Sequence, residues 1–365
     1  MAAALEDEKR KKRKSKLIII GAIIAVIVLA AVGTAVGVIV SKNNSNSSSS
    51  SSKSTKNGSS TATTSDPNNP SKFTKDPALH QAFYGMAYTP EGALMEFGCS
   101  NTLENTIRDI QLLSQLTKRV RLYGADCNQT AQVLEAIVQT KVEMEVFVGI
   151  YNMASDDHEA YQRQRDLIKD AIETYGTKHI AGVTVGNEFM LNWVTGHDEK
   201  DPNSAIGKEG SAILLADIQD MRKTLDDMSL DKHIPLSNVH AWFANTTAEG
   251  AADWVFEFFD GQNVAPAALL PNKPHMYIAE TGWPTKSSDA GNAHNGGSPA
   301  SEEGLQSFLD TFLCQANDKG VGYFFFEMFD EEWKDIKFGG VEGWWGLFNK
   351  DRTLKNVKIP TCTAP

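Results

Sequence analysis

Two apolar runs in this 365-residue chain end on a carboxylate, which packing alone does not explain. Ile180-Ala-Gly-Val-Thr-Val-Gly-Asn-Glu188 closes on a carboxamide and a carboxyl, and Pro274-His-Met-Tyr-Ile-Ala-Glu280 closes on a carboxyl followed by Thr281-Gly-Trp-Pro-Thr285. Glutamate is rarely buried without a partner, so two such residues at the rim of an apolar core form a candidate acid/base pair. Glycosidic bond cleavage needs such a pair. One carboxyl must carry a proton for the poor leaving oxygen, while the other stays ionised to trap the oxocarbenium-like centre or to activate water. The proximity of like charges raises one pKa and so separates the roles.

Other chemistries have little footing. The eight histidines form no ligand-spaced pair, and His-Glu-x-x-His, Walker, dinucleotide-glycine and Gly-x-Ser-x-Gly patterns are absent. Two carboxylates suffice for the reaction, so no cofactor and no metal are expected.

The elements that hold the pair follow from periodicity. Short apolar strands are expected at Phe83–Tyr88, Arg119–Gly124, Glu145–Tyr151, Ile180–Asn187, Ile234–His240, His275–Glu280 and Val321–Glu327. Amphipathic helices alternate with them. Leu214, Ile218, Met221 and Leu225 follow 4-3-4 spacing, and Leu305, Phe308, Leu309, Phe312 and Leu313 make one stripe. Asn101, three residues before Glu104, reads as the cap of the first helix. Alternating strands and helices predict a parallel sheet with helices outside, and closure into a TIM-type (β/α)8 barrel is the commonest solution at this size. Its strand ends converge on one face, which brings Glu188 and Glu280 together.

The remainder of the chain divides by composition. Residues 1–16 carry three acidic and seven basic side chains, a net of +4, and residues 17–40 carry none, so the total of −11 leaves −15 for the rest. A body that acidic lacks the basic face that nucleic acid requires. The 24 apolar residues from Leu17 to Val40 are long enough to span a bilayer. Their length and the polar spacer that follows favour an uncleaved anchor over a signal peptide. The flanking basic tail then sets a single-pass type II orientation in the cell membrane, with residues 17–40 in the lipid bilayer and the bulk outside. Residues 41–77 read as a stalk rich in Ser and Asn, and residues 78–365 as the barrel domain.

Four cysteines in an oxidising compartment allow three pairings. Cys99–Cys127 and Cys314–Cys362 are favoured because each joins neighbouring segments. Of the Asn-x-Ser/Thr sequons, Asn57, Asn128 and Asn245 are the candidate glycosylation sites. Aromatic rings offer flat faces to pyranose CH groups, and Tyr123, Trp242, Phe243 and Trp283 lie at or just past strand ends, with Trp283 the first choice. Trp344 and Trp345 read as packing residues.

At the two glutamates the sequence resembles glycoside hydrolase family 17, the β-1,3-glucanases and glucanosyltransferases, and its fungal cell-wall members in particular. Thr184-Val-Gly-Asn-Glu188 and Ile278-Ala-Glu-Thr-Gly-Trp-Pro-Thr285 carry the resemblance. It extends through Tyr84–Tyr88, Val120–Asn128, Asn238-Val-His240, Phe326–Lys334 and Glu342–Phe348. It implies a retaining mechanism on β-1,3-glucan, with Glu188 as acid/base and Glu280 as nucleophile. Asn187 would bind the sugar 2-hydroxyl, and Tyr88 would orient the nucleophile. His240 falls within the matching Asn238-Val-His240, and Glu331, Lys334 and Glu342 would form an auxiliary polar cluster.

One departure stands out. Lys232-His-Ile-Pro-Leu-Ser, which resembles strand five of that family, runs directly into Asn238-Val-His-Ala-Trp-Phe243, which resembles strand six. One strand and its crossover are unaccounted for. The expected activities are an endo-acting β-1,3-glucan hydrolase, its alternative a β-1,3-glucanosyltransferase, and a wall protein that only grips glucan.

Overall fold

The computed structural model describes residues 68–153, 155–230 and 236–365. The basic tail, the apolar run 17–40, most of the stalk and Asn57 therefore lie outside the described residues. Among the described residues no helix is long and apolar enough to cross a membrane.

All seven expected strands form, each within or close to its expected bounds. They are β1 (Gly85–Ala87), β2 (Arg119–Arg121), β3 (Glu145–Ile150), β4 (Ile180–Val185), β5 (Leu236–Asn238), β6 (Tyr277–Thr281) and β7 (Tyr323–Phe325). They make one parallel sheet in the order β4-β3-β2-β1-β7-β6-β5. The sheet curls into a nearly closed barrel of the TIM type. Among the described residues β4 and β5 are not hydrogen-bonded to each other, so the ring has one gap. The missing strand inferred from the fused Lys232–Phe243 segment corresponds to that gap.

Helices cover the outside: α1 (Leu103–Leu113), α2 (Gln129–Thr140), α3 (Glu159–Tyr175), α4 (Phe189–Gly196), α5 (Ala205–Asp227), α6 (Ala251–Phe259), α7 (Glu302–Asp318) and α8 (Glu332–Phe338). The stripe on α7 is fully buried, from Leu305 to Leu313. Each such side chain contributes roughly 1.5–3 kcal/mol of burial. On α5, Met221 and Leu225 are buried while Leu214 and Ile218 are half-covered. The cap of α1 is Thr102 rather than Asn101: Thr102 Oγ1 accepts from Asn105 N at 3.3 Å. Asn101 instead donates to Cys127 O at 3.0 Å and to Gln132 at 2.9 Å, so its amide ties two loops together.

Cys99 is bonded to Cys127 and Cys314 to Cys362, the favoured pairing. The first bridge anchors the loop after β1 to the loop after β2. The second holds the C-terminal tail against α7, where Asn317 Nδ2 also donates to Ala82 O at 2.8 Å.

Candidate active site

The chain ends β4 with a sharp turn. Gly186 has φ +89°, and a Cβ there would press on Leu214 and Asn152. Glu188 itself is held at φ +50°, a left-handed conformation that a glutamate adopts only when its surroundings dictate it. The turn lifts Glu188 onto the open face at the start of α4. After β6, Gly282 allows the chain to run against Phe326, where a Cβ would meet the carbonyl oxygen at 2.1 Å.

Glu280, in β6, is buried and doubly held. Arg121 Nη1 donates to Oε1 at 2.9 Å, and His240 Nε2 lies 3.1 Å from Oε2. Burial alone would raise its pKa, but His240 and Arg121 outweigh that and bring it down to about 2. The carboxyl is therefore an acceptor-only anion at any working pH, as a nucleophile must be.

Glu188 is in the opposite state. It opens onto solvent along one side, yet withdrawal of its carboxyl from water raises its pKa, and the Glu280 charge raises it further. His240 and the Asn238 amide pull the other way without overcoming the rise. One carboxyl is thus held ionised and the other is inclined to keep its proton, the division of labour that an acid and a nucleophile require.

A third cluster lies beside them. Lys334 Nζ donates to both oxygens of the buried Glu327, at 2.8 and 2.6 Å, and lies 3.2 Å from Glu331. Glu342, whose pKa is raised by burial, feels Lys334 and His240 as opposing charges and Glu280 as a like one. Lys334 also sits 4.7 Å from the centre of the Phe326 ring, and that ring packs on His240, Tyr123 and Trp345.

The structure thus gathers Glu188, Glu280, Asn187, His240, Tyr123, Lys334, Glu331 and Glu342 at one end of the barrel. Asn187 Oδ1 accepts from Arg121 Nη2 at 2.9 Å, so its orientation is fixed by the same guanidinium that holds Glu280. Two expectations need correction. Tyr88 does not orient the nucleophile: it is buried, and its hydroxyl donates to Asp109 at 2.8 Å. The tyrosine beside Glu280 is Tyr123, buried at its hydroxyl and pushed well above the usual tyrosine range by burial and by the Glu280 charge. Trp283, chosen as a sugar platform, is 0% exposed. It turns into the core against Trp242, with ring centres 5.2 Å apart, and donates to Pro299 O at 3.3 Å. Trp242 is likewise buried, and Phe243 packs on the His240 ring. Trp345 is a packing residue, as expected; Trp344 is only half-covered and carries Lys286 over its ring.

Sequence reasoning passed over Arg121, Glu327 and Tyr151. Arg121 had a signal, because it lies between Val120 and Leu122 in a strand that is otherwise buried. Tyr151, at the end of β3, is 42% exposed, and its pKa is raised by burial of its hydroxyl and by both Glu188 and Glu280. Of the candidate glycosylation sites, Asn128 and Asn245 are both exposed, each in a left-handed turn. Among the described residues no group of three or more His, Cys, Asp or Glu is placed to hold a metal ion.

Residues 85–346 match the family described as "BtgE/BtgC glycoside hydrolase domain". The "probable glucan endo-1,3-beta-glucosidase btgC" of Aspergillus flavus is 34% identical over 329 residues, covering 81% of this chain and 47% of the relative. The "glucan endo-1,3-beta-glucosidase btgC" of Emericella nidulans is 31% identical over 319 residues, covering 78% and 47%. The chain therefore spans about half the length of the curated relatives it matches. In fold, it is similar to the "glycoside hydrolase family 17 beta-1,3-glucanosyltransferase from Rhizomucor miehei", with a TM-score of 0.61 at 22% identity, covering 77% of this chain and 98% of that one.

Proposed function

The chain belongs to the BtgE/BtgC glycoside hydrolase family, and from that premise we propose that it cleaves β-1,3-glucan internally with retention of configuration, Glu280 acting as nucleophile and Glu188 as acid/base. The observation that carries this reading is the setting of the two carboxyls at one end of the barrel, Glu280 buried between Arg121 and His240 and Glu188 at the end of β4 beside it. Glu280 is held ionised by Arg121 and His240, and Glu188 is inclined to remain protonated. A Glu280 oxygen attacks the anomeric carbon, the glycosidic C–O bond breaks, and the departing oxygen takes the Glu188 proton. Water then gives its proton to Glu188 and its oxygen to the sugar, releasing Glu280.

Asn187, fixed by Arg121, is placed to bind the 2-hydroxyl of the reacting sugar, and His240, Tyr123, Glu331, Lys334 and Glu342 line the remainder of the polar site. A β-1,3-glucanosyltransferase is the second reading. It differs only in the second step, where a sugar hydroxyl in place of water resolves the glycosyl-enzyme. Our reading of the chain as a whole adds a bilayer anchor at 17–40, a glycosylated stalk and wall-facing domain with sugars at Asn57, Asn128 and Asn245, and a cell-membrane location. It rests on the apolar run and the sequons.

The test is incubation of the purified protein with laminari-oligosaccharides. Products only shorter than the substrate establish hydrolysis, and products longer than the substrate establish transfer. Unchanged substrate that is nevertheless retained on the protein would remove the catalytic reading.

A further inference from the structure

β4 is an edge strand. Among the described residues it pairs with β3 alone, so the turn that carries Asn187 and Glu188 has a hydrogen-bonded neighbour on one side only. In a closed barrel a further strand supports the other side. This turn is also the strained part of the site, with Gly186 at φ +89° and Glu188 at φ +50°. Such conformations persist only where the surroundings over-determine them. We propose that Asp217 of α5, acting through Asn152, is a positioning residue for Glu188, a brace that supplies the support the open sheet edge does not; this rests on the acid/base reading of Glu188 above.

Three observations carry it. The first is a buried polar connection that the carboxylate pair does not use. Asp217 and Asn152 are each 3% exposed, and a carboxyl is rarely so buried without partners. Asp217 Oδ2 accepts from Asn152 Nδ2 at 2.6 Å, and its Oδ1 is hydrogen-bonded to His158 Nδ1. Both partners lie in the segment between β3 and α3, so α5 grips that segment at two points. The second is contact with the turn. A Cβ on Gly186 would lie 3.3 Å from Asn152 Oδ1 and 3.0 Å from the Leu214 side chain, so the turn is seated against both. Leu214 precedes Asp217 by three residues, which places the two on one face of α5. That face backs the turn directly through Leu214 and indirectly through Asn152.

The third is that the parts of the brace are themselves fixed. Gln164 of α3 is buried, donates to Tyr151 O at 2.7 Å and accepts from Tyr151 N at 3.0 Å, which locks the backbone beside Asn152. Past Glu188, Trp193 Nε1 of α4 donates to Ile206 O of α5 at 2.7 Å. α5 therefore holds the glutamate's turn from before and from after. A catalytic group must stay within about 0.5 Å of its working place, and supporting groups locked by their own hydrogen bonds provide that. Glu280 depends on other partners, Arg121 and His240, so the brace serves the acid/base rather than the nucleophile.

The experiment compares kcat/KM on laminari-oligosaccharides, whose leaving oxygen needs a proton, with kcat/KM on a dinitrophenyl β-laminaribioside, whose departing phenolate needs none. Asp217→Ala should lose about a hundredfold on the oligosaccharides, the cost of a misplaced acid, and stay within about threefold on the aryl substrate. Asn152→Ala, which removes the near end of the brace and leaves Asp217 on His158, should do the same and decides the matter if Asp217→Ala does not fold. Asp217→Asn keeps an acceptor for Asn152 and should stay within about threefold on both substrates. Equal losses on the two substrates, no loss on either, or an Asp217→Asn as slow as Asp217→Ala overturns the proposal. Should the parent cleave nothing, or Glu188→Gln fail to separate the two substrates, the catalytic reading falls on its own. The brace is then judged by carbon-13 NMR of the two carboxyls: a Glu188 resonance moved in Asp217→Ala with Glu280 unmoved supports it, and any other pattern overturns it.

Discussion

Arg121 and Glu280 face each other across the barrel at 2.9 Å, each at the end of its own strand and each almost wholly buried. Neither is sequence-adjacent to the other, and no strand pairing joins β2 to β6. The guanidinium fixes one Glu280 oxygen and the Asn187 carboxamide at once, while its face lies 4.2 Å from the centre of the Tyr123 ring. Removing it in Arg121→Met leaves a buried carboxylate with one partner fewer. Unfolding measurements should show a loss of about 3–5 kcal/mol. The rate should fall about a hundredfold or more, because the nucleophile loses its charge support. Unchanged stability would mean that the pair is not the anchor described.

The two glutamates predict a bell-shaped pH dependence. Glu280 is lowered in the folded chain from its ordinary value of 4.5 to about 2. Its ionisation therefore stabilises the fold above about pH 4.5, and that contribution is lost as pH falls toward 2. Glu188 is raised, so the rate declines on the alkaline side as it surrenders its proton. Because the Glu280 charge is one cause of that rise, Glu280→Gln should lower the Glu188 pKa. Carbon-13 NMR titration of the Glu188 carboxyl checks the sign; an upward shift or none refutes the coupling.

Lys355 and Asp330 form a second buried pair, 2.6 Å apart, and Lys355 also donates to Thr285 Oγ1 at 2.6 Å. The same Asp330 oxygen accepts from Gly346 N at 3.0 Å, so one ion pair binds together the loop after β6, the loop after β7 and the C-terminal tail. Lys355→Met leaves Asp330 buried and unpaired. A chemical-denaturation midpoint should fall by the equivalent of about 3–5 kcal/mol. A variant as stable as the parent would place the pair outside the cooperative core.

Tyr88→Phe separates the expectation drawn from family resemblance from the observed geometry. The hydroxyl bonds Asp109, not Glu280. The variant should lose about 1–3 kcal/mol of stability through the unsatisfied Asp109 oxygen and keep kcat near that of the parent. Tyr123→Phe, beside Glu280, should instead lower kcat with little change in stability. Steady-state kinetics on the two variants tests the assignment, and the reverse ranking would restore Tyr88 to the site.

Much of this architecture was legible in the sequence. The seven strands were, because β-branched and aromatic residues cluster in short runs between helical stripes, even around a three-residue strand such as β7. The strand-end glutamates were legible for the same reason: a carboxylate terminating an apolar run has no packing explanation. The gap was visible as a fused Lys232–Phe243 segment. What could not be read was the direction of side chains beyond the strand ends. Trp283 follows Gly282, where the chain turns against Phe326, and its ring swings inward onto Trp242. Tyr88 and Tyr123 end successive strands and look interchangeable in sequence, yet only Tyr123 points at Glu280. Arg121 escaped notice because its partner lies 159 residues away.

The most direct test of the account is trapping of the glycosyl-enzyme intermediate. A 2-deoxy-2-fluoro laminaribiosyl fluoride should lose its anomeric fluoride and add one fluorinated laminaribiosyl group to the intact protein, and peptide mass mapping should place it on Glu280, with no adduct in Glu280→Gln. Absence of an adduct with an inverted anomer among the first-formed products, or an adduct on any residue other than Glu280, would contradict the account.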